Sequence, residues 1–253
     1  MAQEFPEAEG VLSPIRGGRE AANEKLRRID AKRYAKSRNH LKGAVTGLSP
    51  YIRHGLLTLP RVYEHVKSGP ASDVEKFRDE LLWQEYARQL YARMGSATRA
   101  SLRFAVRDEY PPGENPWDVE ASCLQESWRE LVDTGYLTNQ ARMWLSSHWT
   151  VRQGWGWRDG EDLFFRHLLD GSRAANRSGW QWTVGALTGK PYGFSRWQVE
   201  KRAPELCRRC PVRKKALHVG VSCRGRRHVC ASFASMASLT RACPSSRGSA
   251  MRR

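Results

Sequence analysis

Apolar residues recur along this chain at three- and four-residue intervals, with no sustained period-two alternation and no Asn-Gly hairpin turn. The pattern predicts an all-α, multi-helical domain. From about Arg19 to Ala35 the sequence is charged with sparse Leu and Ile, which predicts a solvent-facing helix. Ser49-Pro50 reads as a helix start, a capping hydroxyl followed by proline at the first helical position, and Thr58-Leu59-Pro60 repeats the signal. Asp73 is expected to cap a longer helix whose Phe77, Leu81, Leu82, Tyr86 and Leu90 form one apolar stripe. Pro111, Pro112, Gly113 and Pro116 make a loop. A helix over 119–134 carries Leu124, Trp128, Leu131 and Val132 on one face and stops at Gly135. The stretch 137–152 places Ala141, Trp144, Leu145, His148 and Trp149 at helical spacing, and 161–169 does the same with Leu163, Phe164, His167 and Leu168.

This periodicity sets the organisation. Residues 1–19 read as a polar, turn-rich leader and 20–202 as one helical domain. From 203 to 253, Arg, Ser, Ala, Gly and Cys replace the apolar spacing. That segment is expected to be a basic, disordered tail with the composition of an out-of-frame extension. A chain of 253 residues with 40% apolar content and ten Trp can bury a substantial core. No run of eighteen apolar residues exists, so no membrane-spanning helix is expected. Met1 to Gly10 is acidic and has no hydrophobic signal region, which points to a cytoplasmic, reducing setting in which the six Cys stay unpaired. The net charge of +17 suggests a polyanionic partner. However, residues 201–253 hold fourteen Lys and Arg against the single acid Glu205, leaving only +4 for residues 1–200. The total charge is therefore a property of the tail and does not locate a nucleic-acid groove on the folded body.

The densest chemistry lies in Asp170-Gly171-Ser172-Arg173-Ala174-Ala175-Asn176-Arg177-Ser178-Gly179-Trp180-Gln181-Trp182. It sets a carboxylate, a small-residue turn, an amide and two indoles within thirteen residues, with Trp155 and Trp157 just upstream. Taken alone, the indoles serve equally as core aromatics, Asn176 as a turn residue and Asp170 as half of a surface ion pair. Cys207-Arg208-Arg209-Cys210, with Cys223, His228 and Cys230 downstream, has ligand types suited to zinc or an iron–sulfur group. One C-x-x-C without a clean second pair is too little, and no metal site is assigned. Cys123 lies on an apolar helix face and reads as a buried thiol. The histidines suggest no triad.

Four blocks give the chain a resemblance to the DNA photolyase/cryptochrome superfamily, running from about Tyr34 to Trp182. Thr46-Gly47-Leu48-Ser49-Pro50-Tyr51-Ile52 resembles the family's Thr/Ser-x-Leu-Ser-Pro-Tyr segment, and Glu80-Leu81-Leu82-Trp83-Gln84-Glu85-Tyr86 its Glu-Leu-x-Trp-Arg-Glu-Phe/Tyr segment. Tyr136-Leu137-Thr138-Asn139-Gln140-Ala141-Arg142-Met143 is similar to Trp-Met-His-Asn-Arg-x-Arg-Met, and the Asp170–Trp182 segment is similar to the flavin-cradling signature. The resemblance concerns the helical FAD-binding half only. No βαβ pattern precedes Leu48, so neither the antenna domain nor its chromophore is expected, and the chain is similar to short, stand-alone flavin-domain members. Gln84 and Gln140 stand where the family carries Arg residues that meet DNA. Ser172 stands where it carries the second Asp of Asp-Gly-Asp, and Trp117 to Ser122 replace its Gly-x-Thr-Gly-x-Pro segment.

What the resemblance implies can be stated residue by residue. Tyr34, Thr46, Gly47, Leu48, Ser49, Asn139, Arg142, Asp170, Ser172 and Asn176 would hold FAD, with Asn176 opposite flavin N5 and Asp170 paired to Arg142. Trp180 and Trp157 would relay electrons to the photoexcited flavin, with Trp117 as a third ring. Glu80, Trp83, Asn139, Met143 and Trp182 would line a cavity for a flipped pyrimidine dimer, because a buried flavin cannot reach a stacked base. Met143 and Trp83, each taken alone, read as core packing. The implied activity is that of a deoxyribodipyrimidine photo-lyase: reduced FAD absorbs light, lends one electron to a cyclobutane pyrimidine dimer in DNA, and recovers it after the ring splits. A monomer without membrane association is expected. Two readings remain beside it: a cryptochrome-like blue-light sensor or flavin-binding module without repair, and a degenerate fragment.

Overall fold

The computed structural model describes residues 12–106, 111–113, 116–117 and 119–213, all within one compact unit, residues 1–219. The helices are α1 (Arg19–Arg27), α2 (Ala31–Ser37), α3 (Ser49–Arg53), α4 (Leu59–Val66), α5 (Ala71–Met94), α6 (Ser122–Thr134), α7 (Asn139–Ser147), α8 (Trp157–His167), α9 (Arg173–Val184), α10 (Arg196–Arg202) and α11 (Pro204–Arg209). Short 3-10 turns follow α5 and α11, and a wider π-helical turn, His148–Arg152, extends α7. No strand occurs among the described residues, as the periodicity predicts. None of their helices is long and apolar enough to cross a membrane.

Local chemistry explains most boundaries, and corrects several expected ones. The single helix expected over Arg19–Ala35 is two, because the Asp30 side chain accepts from the Arg33 amide at 3.0 Å and starts α2 afresh. Thr58 caps α4 as expected, accepting from the Arg61 amide. Ser49 does not cap: it is the first residue of α3, Leu48 precedes it, and no side-chain cap bond forms. Asp73 does not cap either. Helix α5 begins directly after Pro70 and Asp73 sits in its first turn, where a carboxylate complements the helix dipole. The apolar stripe of α5 is narrower than expected: Val74, Phe77, Leu81 and Ala87 are buried, whereas Leu82 and Tyr86 are exposed. Each of these two lies one position from a buried neighbour in the 3.6-residue turn, so it faces solvent. Helix α6 ends at Gly135, whose φ of 67° is the left-handed cap.

Two hydrophobic clusters organise the packing. The first joins α1, α3, α4 and α5 through Ala22, Leu26, Tyr51, Val62, Phe77 and their neighbours. The second joins α6 to α11 through Leu124, Leu131, Trp144, Trp149, Phe164 and Trp180. Helix α9 packs against α5, α7 and α8 and so ties the two together. Helical order continues past the expected boundary at 203, through α11, and Cys207 is buried in the second cluster. Cys123 lies near Cys210 and Cys207; burial, with those two thiols adding, raises its pKa to about 12. No group of three metal-ligating side chains is arranged to hold an ion among the described residues. Residues 214–253, with Cys223, His228 and Cys230, lie outside them. At the other end, the Ser13 hydroxyl donates to the Thr134 carbonyl at 2.6 Å and Tyr51 donates to the Arg16 carbonyl at 2.8 Å, so part of the expected leader is pinned to the body.

Close approach of α8 and α9 requires Gly160. A Cβ there would lie 2.2 Å from the Trp180 ring. Gly160→Ala should therefore displace Trp180 and cost about 1–3 kcal/mol by overpacking, read as a lower urea midpoint and an altered near-UV circular dichroism spectrum.

The π-helical turn buries His148 between Trp117 and Trp155. Its Nδ1 has no partner among the described residues, and burial, with Arg152 adding, lowers its pKa from 6.5 to about 4. The unfolded chain therefore binds a proton between those values that the folded chain excludes. Stability is complete above about pH 6.5 and falls toward pH 4 by up to about 3 kcal/mol. His148→Phe should flatten this part of the pH–stability curve, measured by urea unfolding.

Candidate functional site

The site forms where three segments distant in sequence meet. The loop after α8, residues 168–172, is held on one side by α3: Arg53 Nε donates to the Gly171 carbonyl at 2.8 Å and His54 Nε2 lies 2.9 Å from the Leu169 carbonyl. On the other side the Leu169 amide donates to the Gly135 carbonyl at 2.8 Å. This clamp fixes Asp170, which is buried. Arg142, one turn into α7, donates from Nη2 to Asp170 Oδ2 at 2.7 Å and from Nε to the Leu137 carbonyl at 3.1 Å. Burial opposes the Arg142 charge, but the Asp170 carboxylate outweighs it and holds the guanidinium pKa above its ordinary value. Asp170 Oδ1 has no partner among the described residues.

Two tyrosines extend the cluster. Burial raises the pKa of Tyr136 to about 12, with Arg142 opposing and Asp170 and Tyr34 adding. Tyr34 rises to about 12 for the same first reason, with Glu80 adding and Arg38 opposing. Arg38 pairs with Glu80 at 2.5 Å. Tyr34, Glu80, Arg142 and Asp170 are thus brought into one electrostatic neighbourhood, linked through Arg38 and Tyr136, neither of which the sequence reading assigned a role. At the start of α3, the helix whose far end clamps the 168–172 loop, Thr46 Oγ1 accepts from the Leu48 amide at 3.3 Å, Leu48 is buried, and Ser49 is the first helical residue. Gly47 has a φ of 62°, and the Lys25 ammonium lies 3.1 Å from where its Cβ would be. The hydroxyls at 46 and 49, together with the Lys25 charge, can take an anionic group.

Ser172 caps α9, accepting from the Ala175 amide. Asn176, one turn on, donates from Nδ2 to the Glu161 carbonyl at 2.9 Å. That bond uses one of its two N–H donors and fixes the amide's orientation, leaving its oxygen as an acceptor. Beneath it Glu161 is 2% exposed and is met by Arg173 at 2.7 Å and Arg177 at 3.5 Å. Arg177 also donates to Thr98 Oγ1 at 2.8 Å. This network escaped the sequence reading. Its signal was that Glu161 shares a face with Trp157 and Phe164, four residues before and three after, on an otherwise apolar side of α8.

The residues expected on the substrate side are largely at the surface. Trp83 and Trp182 are exposed; Trp83 meets Tyr86 edge-on at 5.8 Å and Trp182 meets Tyr192 at 5.3 Å. Their helices pack together, although no ring contact joins the two indoles among the described residues. Asn139 is exposed and donates to Met143 Sδ at 3.5 Å. Gln140 points inward instead, buried and bonded to the Tyr192 hydroxyl. Trp180 and Trp157 are both fully buried. Trp180 packs edge-on against Phe164 at 5.0 Å and Trp149 at 6.1 Å, whereas Trp157 stacks under the Arg158 guanidinium at 4.7 Å.

Comparison with known proteins agrees with this geometry. Residues 123–201 match the family model of the FAD binding domain of DNA photolyase. The chain is 32% identical over 212 residues to a deoxyribodipyrimidine photo-lyase of Thermus thermophilus, covering 75% of this chain and 48% of that protein. It is 29% identical over 161 residues to that of Vibrio cholerae, covering 58% and 34%. Among solved structures it is similar to an archaeal photolyase from Sulfolobus tokodaii with two FAD molecules (TM-score 0.69, 23% identity, 81% of this chain and 50% of that one). It is also similar to a bacterial class III photolyase from Agrobacterium tumefaciens (TM-score 0.66, 22% identity, 80% and 45%). The chain spans half or less of the length of these relatives.

The Arg142–Asp170 pair gives a direct test. Asp170→Ala leaves the Arg142 charge without its partner and should cost about 2–3 kcal/mol, less than a fully buried pair because Arg142 is partly exposed. Replacing both residues with apolar ones, Arg142→Met with Asp170→Leu, should recover part of that loss in urea unfolding.

Proposed function

The chain carries the FAD-binding domain of the photolyase/cryptochrome superfamily, and from that premise we propose that it repairs cyclobutane pyrimidine dimers in DNA by light-driven electron transfer from reduced FAD. The observation that carries this reading is the convergence of Tyr34, Tyr136, Arg142 and Asp170 around a buried, unpartnered carboxylate oxygen. The residues present fit the cofactor. Asp170 Oδ1 is a buried acceptor in want of a donor, which a flavin ring N–H or a ribityl hydroxyl supplies. Lys25 with the hydroxyls of Thr46 and Ser49 suits the diphosphate. The Asn176 amide, oriented by the bond from its NH2 to the Glu161 main-chain carbonyl, has an acceptor oxygen suited to a flavin nitrogen that carries a proton.

When bound and reduced, FAD supplies a one-electron donor that light makes strong enough to reduce a dimer. The protein does the rest. The Arg142–Asp170 pair orients the ring, the buried wall of α8 and α9 keeps water from it, and the exposed faces of Trp83 and Trp182 offer stacking surfaces to unpaired bases. Glu80, paired with Arg38, would donate to a base carbonyl only in its protonated form, and Asn139 and Met143 would meet the same base. A second reading, a flavin-dependent light sensor without repair, is favoured by one feature. Gln140, where the family carries a DNA-facing Arg, is buried against Tyr192.

Purified protein should show a flavin absorption spectrum, and Asp170→Asn should lower flavin occupancy by about tenfold or more, the loss of one charge-assisted contact. With reductant and blue light, the flavin-loaded protein should restore a thymine-dimer oligonucleotide to intact thymines. An unchanged dimer in the presence of bound, photoreducible flavin would leave the sensor reading standing.

A further inference from the structure

Helix α10 is short and basic, and it carries an indole in water. Trp197 is 65% exposed, the same fraction as Trp83. Lys201, one turn on, places its ammonium 5.2 Å from the ring centroid. The helix buries only Val199, so Trp197 contributes little to the core. Charge is gathered around it. Residues 188–212 hold six Lys and Arg against two acids. Both acids are engaged, Glu200 by Arg196 at 3.0 Å and Glu205 by Arg208 at 3.1 Å. Lys190, Lys201, Arg202 and Arg209 have no acidic partner among the described residues. This part of the basic segment is folded, so its charge has a fixed place on the body.

Two contacts locate the helix. Burial raises the pKa of Tyr192, with the bond from Gln140 and the Arg202 charge opposing, so Arg202 lies near that ring. Tyr192 in turn meets Trp182 at 5.3 Å. The Leu41 amide donates to the Arg202 carbonyl at 3.0 Å, three residues after Arg38, which pairs with Glu80. The end of α10 therefore borders both the Trp182–Tyr192 ring pair and the segment that carries Arg38. Free positive charge is otherwise scarce there. Gln84, next to Trp83, and Gln140, bonded to Tyr192, are neutral, and Arg38 is spent on Glu80.

We infer that α10 is a DNA-docking surface beside the base pocket: Lys201 and Arg202 neutralise phosphates of the bound strand, and Trp197 stacks on a base that extrusion of the dimer leaves unpaired. The inference rests on the DNA-repair part of the proposed function and names the residues that hold the strand. Phosphate contacts are blind to sequence and to damage, because every nucleotide carries the same charge. Stacking needs an open base face, which a base paired within a duplex lacks. The cations thus supply affinity for any DNA, and the indole supplies preference for DNA opened at a lesion. The Lys201 ammonium over the Trp197 ring keeps the two together, so a base stacked on the ring brings its own phosphate toward the cation.

The flavin-loaded full chain and its variants are titrated in the dark against two fluorescein-labelled duplexes, one with a thymine dimer and one intact, over a series of KCl concentrations. Fluorescence anisotropy is the readout. Lys201→Gln with Arg202→Gln should weaken binding to both duplexes and reduce the slope of log affinity against log salt by about one unit for each cation removed. Lys201→Arg with Arg202→Lys, which keeps both charges, should retain the parent slope. Lys67→Gln, a loss of exposed charge at the end of α4, should change the slope little. Trp197→Ala should weaken binding to the dimer duplex by about tenfold and leave the intact duplex at the parent affinity. Residues 214–253 contribute nine Lys and Arg to every protein compared, so the differences between variants carry the result. A double Gln variant with the parent slope on both duplexes overturns the inference, as does Trp197→Ala that binds the dimer duplex as tightly as the parent. Both results are expected if α10 instead serves an acidic protein. Absence of dimer-duplex binding by the flavin-loaded parent overturns the repair reading itself, a failure visible before any variant is made.

Discussion

The ion pair between Arg142 and Asp170 is the constraint on which the rest of the site depends. It joins α7 to the loop before α9, with Asp170 buried and Arg142 partly exposed. A charge pair held away from water demands support for its remaining polar atoms. The structure supplies it through the Leu137 carbonyl for Arg142 and through the clamp of Arg53, His54 and Gly135 on the loop that carries Asp170. Those contacts draw α3 and the end of α6 to the same point. Tyr34 and Tyr136 share the electrostatic neighbourhood, and one Asp170 carboxylate oxygen is left buried without a partner among the described residues.

A second buried carboxylate does comparable work below the first. Glu161 ties α8 to α9 through Arg173 and Arg177, and Arg177 reaches on to Thr98 after α5. This allows α9 to present its two faces to different tasks. Asn176 and Trp180 are buried, while Trp182 faces outward. Gly160 allows the two helices to approach closely enough for Trp180 to fill the gap. Trp180 then packs edge-on against Phe164 and Trp149 in the same close-packed interior.

Much of this could be read from residue order. Helical periodicity named the fold class, Thr58 and Gly135 marked true helix ends, and the pairing of Arg142 with Asp170 that the resemblance implies is present. Failures came where local signals compete. Ser49 and Asp73 have the chemistry of caps but lie inside their helices, because the prolines at 50 and 70 and the packing of Leu48 set the start elsewhere. Tyr86 and Leu82 belong to a helical stripe only if the stripe is wide, and the neighbours of α5 make it narrow. Gln140 read as a lost surface contact and is a buried partner of Tyr192.

Sequence alone determined what kinds of elements form, because helix periodicity and capping are set by residues a few positions apart. Resemblance of the segments at 136–143 and 170–182 to a known family named Asp170, Arg142 and Trp180, which no residue type or spacing singles out. Tertiary structure decided which groups meet. Arg38 reaches Glu80, Lys25 covers Gly47, Glu161 gathers two arginines, and Trp180 touches Trp149 rather than Trp157. Each of these encounters joins positions on different elements, several helical turns or more apart along the chain. They depend on helix crossing and close packing, which no local pattern encodes.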